Sequence, residues 1–276
     1  MTSHDVINVL RRITKIKQIG HTGTLDPFAQ GVLPVCIGKS TKLIEYLKDD
    51  KAYIGRFSFG KKTDSFDIDG NIVKTFSQKI SEKELISSLP SFQGEILQTP
   101  PIYSAIKVNG KKLYDYARQG EKIEISKRKI FIEKIELKKF NFDEQWADIY
   151  IKCSKGTYIR SIANDIGEKL NNGCYLSKLE RVQAGDFFLE SSVKLENINS
   201  FQDVKSNLLN PIDFVHLKQQ ELNETEIKRI SNGMNIYNRI NAIDENVILV
   251  SNNKILAVAS TITNGLKPQK VFHYKD

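Results

Sequence analysis

A glycine-rich stretch near the start of the chain, GHTGTLDPFAQG at residues 20–31, most restricts what the sequence can fold into. It holds three glycines and one proline in twelve positions. Glycine loses more backbone entropy than other residues when an element forms, and proline has no N–H to donate. The stretch therefore predicts a shaped loop. Its single acidic residue, Asp26, raises the question of what the loop is for.

The segments on either side of this loop are predicted to be buried. Apolar residues at helical spacing in 3–13, behind the cap candidates Thr2 and Ser3, predict an amphipathic helix. After the loop, the apolar run VLPVCI at 32–37 predicts a buried strand, and GKSTKLIEYLKD predicts the start of a helix. Asp26 is thus expected to lie between buried elements.

Further along the chain, strand and helix patterns follow each other without a regular order. Residues 53–59 and 147–153 alternate in polarity with a period of two, which is typical of half-buried strands. A capping box at Ser81 and Glu84 predicts a short helix, and apolar residues at helical spacing in 159–170 predict another. Because no βαβ repeat connects these segments, we predict an α+β fold.

The pattern changes near residue 215. Asn223 and Glu226 form a capping box for a short helix that Gly233 ends, and NVILVSNNKILAVAS then predicts a hairpin. No low-complexity linker precedes this part of the chain. We therefore expect one domain of residues 1–214 and a small, mostly β domain of residues 215–276, packed together.

Composition and charge narrow the class of partner. The net charge of +8 indicates a polyanion, and nucleic acid is favoured over a membrane because no polybasic amphipathic helix or lipidation signal is present. A solvated, lysine-rich surface is the alternative. The three cysteines are far apart, which disfavours a disulfide framework or a zinc site. Without a signal peptide or a membrane-spanning apolar run, we expect a cytoplasmic protein, and by default a monomer.

One segment concentrates the positive charge. Residues 105–139 contain eleven Lys or Arg against five Asp or Glu, a net +6, with tyrosines and a phenylalanine interleaved. Cations with aromatic side chains suit a phosphate backbone and exposed bases, although a charged solvated face would have the same composition. The preceding QTPPIYSAIK predicts a proline-stiffened turn.

Two stretches resemble known ligand-binding motifs but lack residues that those motifs require. GKST at 38–41 lacks the glycine that a phosphate-binding P-loop requires five residues earlier, where Leu33 stands. TDSFDIDG at 63–70 has Ser65 and Phe76 at ligand positions of a calcium loop. We therefore predict no nucleotide site in the first stretch and an acidic turn in the second.

Local reasoning leaves the role of the opening loop undecided. An aspartate in a tight loop is more often a turn former than a catalyst, and a loop histidine such as His21 is more often a hydrogen-bonding residue than a base. From the residues alone, both functions remain open for Asp26 and for His21.

Four stretches together resemble the TruB family of tRNA pseudouridine synthases. In order, over residues 2 to about 190, they are GHTGTLDPFAQGVLPVCIGKSTK, TDSFDIDG, QTPPIYSAIKVNGKKLYDYARQG and CSKGTYIRSIANDIG. GLKPQKVF in the tail resembles, more weakly, the PUA-type RNA-binding domain that ends bacterial members. The resemblance implies a central mixed, largely antiparallel sheet flanked by helices, followed by a small PUA-like domain.

The resemblance also implies a reaction. Family members isomerise the T-loop uridine at position 55 of tRNA to pseudouridine: the glycosidic bond from N1 is broken and remade to C5. No metal, nucleotide or redox cofactor is implied. The family's invariant aspartate falls on Asp26, which would be the nucleophile. A carboxyl group with the ordinary aspartate pKa of about 3.9 is ionised at neutral pH and needs no activating base.

Further site residues follow from the same resemblance. Arg160 would pair with Asp26, while Tyr53 would stack on the flipped uridine and take the proton from C5. His21 would help to flip the base, whose unstacking costs a few kcal/mol, or would fill the vacated stack. The remaining substrate-binding positions are Tyr158 and Leu179 in the pocket and Lys42 beside it.

The basic stretch from about 98 to 130 resembles the thumb insertion of the family, which closes over the RNA. Its cations would contact phosphates, with recognition mainly by RNA shape. The thumb cations are Lys107, Lys111, Lys112, Arg118, Lys127 and Arg128.

The sequence departs from the family pattern at its start. Members usually begin with a strand and a Lys-Pro, then Gly, turn ahead of the segment that corresponds to MTSHDVINVLRR, and neither is present. Either the start is assigned late or this member lacks an edge strand. The matched catalytic positions are unaffected.

Two other functions compete with the synthase. A tRNA-binding or tRNA-folding protein that has lost the chemistry would need none of Asp26, Tyr53 and Arg160, so their presence favours the enzyme. An aspartyl phosphotransferase would need an acidic metal site beside Asp26, and the neighbouring residues offer none.

Overall fold

The computed structural model describes residues 1–121, 123–238 and 245–273. Its α-helices are α1 (Ser3–Thr14), α2 (Glu82–Ser88), α3 (Leu113–Arg118), α4 (Ile159–Lys169), α5 (Phe201–Ser206) and α6 (Glu224–Ser231). Short 3₁₀ helices cover Gly38–Tyr46, Leu89–Phe92, Leu189–Ser191, Leu195–Asn197 and Pro211–Asp213.

The strands follow in chain order. They are β1 (Ile19–His21), β2 (Gln30–Gly31), β3 (Val35–Ile37), β4 (Lys51–Phe59), β5 (Lys61–Thr63), β6 (Ile72–Thr75), β7 (Gly94–Gln98), β8 (Lys107–Val108), β9 (Lys111–Lys112), β10 (Arg128–Asn141), β11 (Trp146–Cys153), β12 (Cys174–Ala184), β13 (Phe187–Phe188), β14 (Lys218–Glu221), β15 (Ile236–Tyr237), β16 (Asn246–Ser251), β17 (Lys254–Ile262) and β18 (Gly265–Val271).

A central sheet of seven strands organises the first part of the chain. Its order is β13-β12-β4-β11-β10-β7, with β2 alongside β12. The neighbours are antiparallel except for β2, which runs parallel to β12. The alternation that predicted strands at 53–59 and 147–153 corresponds to alternating burial in β4 and β11. The predicted α+β fold with a mixed, largely antiparallel sheet is confirmed.

Helix α4 covers one face of this sheet. Ile159, Ile162 and Ile166 lie on one side of the helix and are buried in the core formed with β4, β11 and β12. The helix begins directly after the SKG turn, as the periodicity predicts. Its first turn therefore lies at a fixed position beside the strands, and this turn carries Arg160.

Helix α1 supports the opening loop from the other side. Thr2 and Asp5 form a capping box at its start, and Ile7 and Leu10 pack against Ile19. The hydroxyl of Ser3 accepts a hydrogen bond of 2.9 Å from the backbone N–H of Leu25, inside the loop. The helix predicted at 3–13 is thus confirmed, and its first residue holds the loop.

Two predictions for the segment after the loop need correction. The strand expected at 32–37 is confined to β3, which is half-buried and pairs with β1. Pro34 has no N–H to donate, so it cannot extend the ladder. The helix expected from residue 38 is a 3₁₀ helix; Leu43 is buried and Leu47 is partly buried.

The C-terminal part contains a second sheet in the order β14-β16-β17-β18-β15. The hairpin predicted from NVILVSNNKILAVAS is β16 and β17, and the capping box of α6 is the predicted one. Leu43 of the 3₁₀ helix lies in the same apolar cluster as Ile248 and Val258 of this sheet. The two parts of the chain therefore pack together. None of the helices in the described residues has the length and apolarity to span a membrane.

Candidate active site

The opening loop connects β1 to β2 and presents Asp26 between them. The backbone N–H of Ala29 donates 2.9 Å to the carbonyl of Asp26, which closes a turn. Phe28 and Ala29 pack against the main core. The loop is therefore anchored to the core by Phe28 and Ala29, while the side chain of Asp26 remains 31 % exposed.

Arg160 holds this carboxylate with two hydrogen bonds. Its Nε donates 2.9 Å to Oδ2 of Asp26, and its Nη2 donates 3.0 Å to Oδ1. The guanidinium is buried. Such a two-pronged pair fixes the carboxylate in direction as well as in position. The pairing expected from the resemblance is present in the geometry.

A second carboxylate, on Asp67, completes the arrangement. Nη1 of Arg160 donates 3.1 Å to Oδ2 of Asp67, which is buried. Burial raises the pKa of Asp67, while the hydrogen bond from Ser65 and the charge of Arg160 act against that rise. From the sequence, Asp67 is expected only in an acidic turn. The residues do form a turn, but one of its carboxylates points inward to the arginine.

The first residues of the predicted thumb are joined to the same cluster. Nη2 of Arg160 also donates 3.3 Å to the backbone carbonyl of Tyr103. The side chain of Gln98 accepts 2.9 Å from the N–H of Tyr158 and donates 3.0 Å to its carbonyl. Tyr158 is thereby held at the start of α4, directly before Arg160. Hydrogen bonds therefore connect the start of the predicted thumb to Arg160 and to the residue two positions before it.

Tyr53 and Leu179 lie on neighbouring strands behind the loop. Both belong to the main core, and little of Tyr53 is open to solvent. Burial raises the pKa of Tyr53 to about 12, although the charge of Arg181 acts to lower it. The phenol therefore keeps its proton at neutral pH. Stacking of a base on its ring requires the groups that cover the ring to move.

His21 lies at the end of β1 and is partly buried. Its Nδ1 has no hydrogen-bond partner in the described part of the chain. Burial lowers the pKa of His21, and the charge of Arg181 lowers it further. The imidazole is therefore neutral at pH 7, a state that suits contact with a base better than contact with a phosphate.

Lys42 is a predicted substrate-binding residue whose side chain contacts the C-terminal part of the chain. Its ammonium group donates 3.1 Å to the carbonyl of Val271 and lies 5.7 Å from the ring centroid of Phe272. The 3₁₀ helix directs it toward the C-terminal sheet. In the described residues, no hydrogen bond or ring contact joins Lys42 to Asp26, Tyr53 or Arg160, and its place beside the pocket stays a prediction.

The thumb cations differ in how free they are. Lys107, Lys127 and Arg128 are exposed, as is Arg118, whose guanidinium lies 5.3 Å from the ring centroid of Tyr114. Lys111 is 3.0 Å from Glu121 in an ion pair, and Lys112 donates 2.8 Å to the hydroxyl of Tyr114. The first four side chains are thus the better candidates for phosphate contacts.

Gly31 ends the loop in a conformation that only glycine adopts easily, with φ of +111°, and a Cβ there would overlap the backbone carbonyl of Arg181. We expect Gly31→Ala to lower the free energy of unfolding by about 3–5 kcal/mol. Gly38→Ala is the matched control, because φ is +62° there but nothing lies within 4 Å of the new Cβ. It should cost about 1–2 kcal/mol. Urea unfolding measures both, and equal losses would contradict the close contact.

Comparison with known proteins adds an independent observation. The model of the TruB family pseudouridylate synthase N-terminal domain matches residues 11–159, more than half of the chain. The chain belongs to the TruB family. The matched region contains Asp26, Tyr53 and Asp67, and it ends one residue before Arg160.

Curated relatives extend the similarity over nearly the whole chain. A protein of Caldanaerobacter subterraneus subsp. tengcongensis named tRNA pseudouridine synthase B is 41 % identical over 277 residues, covering 99 % of this chain and 95 % of the relative. One of Lactobacillus johnsonii with the same name is 42 % identical, covering 94 % and 90 %.

Solved structures of distant proteins share the fold of this TruB family member. The crystal structure of a Cbf5–Nop10–Gar1 complex contains a chain with a TM-score of 0.71 at 21 % identity, covering 99 % of this chain and 82 % of the other. A structure of an H/ACA RNP bound to a substrate RNA gives 0.70 at 19 % identity, covering 100 % and 83 %. At such identities the likeness establishes the fold alone.

The family resemblance predicted the pairing of Arg160 with Asp26 but not the second carboxylate at Arg160, that of Asp67. The spacing of TDSFDIDG showed three aspartates in a turn, without indicating which would face inward. A usable signal was the absence of any partner for Arg160 besides Asp26. A buried guanidinium commonly requires more than one acceptor, and this turn is the most acidic of the four stretches that carry the resemblance.

Proposed function

We propose that this TruB family member converts the uridine at position 55 in the T-loop of tRNA to pseudouridine, with Asp26 as the nucleophile. One observation carries the proposal: a partly exposed carboxylate is held at two points by a buried guanidinium that has a second carboxylate of its own. The relatives named tRNA pseudouridine synthase B support tRNA as the substrate.

The two carboxylates around Arg160 have different roles: Asp26 attacks the substrate, and Asp67 stays as the counterion of Arg160. When Asp26 attacks a carbon of the substrate, its carboxylate becomes an ester and loses its charge. Without Asp67, that step would leave a buried guanidinium with no counterion, which is costly. With Asp67 only 3.1 Å from Nη1, the cation stays paired throughout. Arg160 can then hold its position while the covalent bond forms and breaks.

The isomerisation also moves one proton. The bond from N1 to the ribose breaks, a bond from C5 to the ribose forms, C5 loses a proton and N1 gains one. Because burial raises the pKa of Tyr53 to about 12, its phenol is protonated at neutral pH. Tyr53 can therefore accept the C5 proton only as it passes its own proton onward, toward N1 or water.

The remaining parts of the chain supply the RNA contacts in this proposal. The thumb from about 98 to 130 would close on the T-loop, and residues 215–276 would form a PUA-like domain that contacts the tRNA farther from the site. Leu179, Tyr158 and His21 would surround the flipped base. We expect a monomer that acts in the cytoplasm.

Tritium release tests the reaction directly. An unmodified tRNA transcript labelled at C5 of uridine is incubated with the enzyme in EDTA and without nucleotide. We expect tritium to be released, because C5 must lose its hydrogen, and we expect no release from a transcript that lacks the T-loop uridine. Tight binding without release would indicate the RNA-binding protein instead.

Neutralising the thumb cations should weaken binding and spare the chemistry. We expect Lys107→Gln, Lys127→Gln and Arg128→Gln together to weaken tRNA binding and to reduce the slope of log K against log salt by about 2–3. The single-turnover rate at saturating tRNA should change less than about threefold. In the described residues, no hydrogen bond or ion pair joins these side chains to Asp26 or Arg160.

A matched control is Lys111→Gln, which removes a thumb cation already paired with Glu121. It should change the slope by less than a third of the change in the triple variant. Filter binding at several salt concentrations measures all variants. A fall in the saturated rate as large as that of an Asp26 variant would contradict the thumb assignment.

A further inference from the structure

A second arginine, Arg181 on β12, is buried without a matching acid. Its side chain is among the largest that are fully buried. In the described residues no carboxylate lies within ion-pair distance of it, and Nη1 has no hydrogen-bond partner. A buried, unpaired guanidinium is destabilising, because the protein replaces its hydration only in part. Stabilisation of the fold by an ion pair therefore does not account for it.

Two side-chain hydrogen bonds of Arg181 go to the loop that carries Asp26. Its Nη2 donates 3.1 Å to the carbonyl of Gly23, before Asp26, and its Nε donates 2.7 Å to the carbonyl of Val32, after it. Its own backbone carbonyl accepts 2.8 Å from the N–H of Val32. One side chain thus holds both ends of the loop at a fixed separation.

Arg181 also lies directly opposite Tyr53 in the pairing of β12 with β4. The charged and titratable groups that face this pair are few. Lys51 of β4 and His21 of β1 lie close enough for the charge of Arg181 to lower the pKa of each. Cys153 of β11 and Asp26 both act to raise the pKa of Tyr53. Arg181 is thus the common neighbour of the loop and of the tyrosine.

We propose that Arg181 is a positioning residue for the isomerisation, whose guanidinium fixes the Asp26 loop in register with Tyr53. This role rests on the proposed function. Asp26 and Tyr53 belong to different segments, and both must meet one flipped base. The hydrogen bonds from Arg181 to the two carbonyls fix the position of the loop relative to β12. The pairing of β12 with β4 fixes the position of Tyr53 relative to the same strand. Arg181 takes part in both, so it fixes the loop and Tyr53 relative to each other.

The test compares Arg181→Met and Arg181→Lys in the full chain with unmodified, C5-tritiated tRNA. Because a displacement of about 1 Å at reacting groups costs about 10²-fold in rate, we expect Arg181→Met to slow single-turnover release about 10²-fold at saturating tRNA. Its tRNA Kd should stay within about threefold, since the guanidinium is out of reach of RNA. Its Tm should change little, because the loss of the two hydrogen bonds to carbonyls is offset by the removal of a buried charge that has no acid partner.

Arg181→Lys separates positioning from a general need for the residue. Lysine keeps the charge but cannot reach both carbonyls in the manner of a planar fork, so we expect a loss of about tenfold with the Kd and Tm retained. Arg56→Met is the matched control. Arg56 is on the same sheet and binds Asp148, away from the loop. Its rate should stay within about twofold.

The outcomes distinguish the role of Arg181 from the proposed function. Release by the wild type with an undiminished rate in Arg181→Met or in Arg181→Lys would overturn the positioning role alone. A rate that falls only in proportion to the folded fraction would show a merely structural residue and would overturn it too. No release by the wild type would overturn the proposed function and this role with it.

Discussion

Asp26→Asn is expected to abolish turnover while tRNA binding remains close to that of the wild type. Asparagine has nearly the same shape but is not a carboxylate nucleophile, so the covalent route is lost. We expect tritium release to fall by about 10⁴-fold or more, as in other enzymes that lose their nucleophile. The fold should survive, because Arg160 keeps its hydrogen bond to Asp67.

Asp148→Asn is the matched control for this change. Asp148 also accepts two hydrogen bonds from one arginine, at 2.8 Å from Nε and 2.8 Å from Nη2 of Arg56, but outside the candidate site. Its variant should keep its rate within about twofold. Single-turnover release and filter binding measure both proteins. Substantial turnover by Asp26→Asn would remove the aspartate from the chemistry.

Replacing Arg160 by methionine is expected to damage both the reaction and the fold. The change leaves the buried carboxylate of Asp67 without its cation and frees the carboxylate of Asp26 to turn. Removing one partner of a buried ion pair typically lowers the free energy of unfolding by about 3–5 kcal/mol. Loss of the two-point grip should reduce the rate at saturating tRNA by at least about 10²-fold.

Arg160→Lys and Arg56→Met identify the origin of these losses. Lysine restores a positive charge without the planar fork, so it should recover stability more fully than rate. Arg56→Met removes a partly exposed arginine and should cost no more than about 1–2 kcal/mol. Urea unfolding and single-turnover release are measured on each variant. A rate unaffected in folded Arg160→Met would mean that the grip on Asp26 is not used in catalysis.

The sequence predicted most of the central fold because the relevant patterns are local. Polarity alternates within β4 and β11, and the apolar face of α4 and the capping box of α6 are each complete in a few residues. The segment after the opening loop was predicted less well. There Pro34 shortened the strand, and contacts with the distant C-terminal sheet accompany a 3₁₀ helix where an ordinary helix was expected.

For the candidate site, too, some features were predicted from the sequence and others were seen only in the structure. The family resemblance singled out Asp26, Tyr53 and Arg160, and the structure brings the first and last of these into contact. The resemblance also places Lys42 beside the pocket, which stays a prediction; the structure shows its ammonium group hydrogen-bonded to the carbonyl of Val271.

By itself, the sequence determined the glycine-rich loop and the alternation of the strands, because each depends on residues close together in the chain. It indicated the family through four such stretches in a fixed order. Only the tertiary structure decided that Asp67 shares Arg160 with Asp26, and that Arg181 holds the carbonyls of Gly23 and Val32. These contacts join segments far apart in sequence. The orientation of a buried arginine side chain depends on which acceptors the packed core leaves within hydrogen-bond distance.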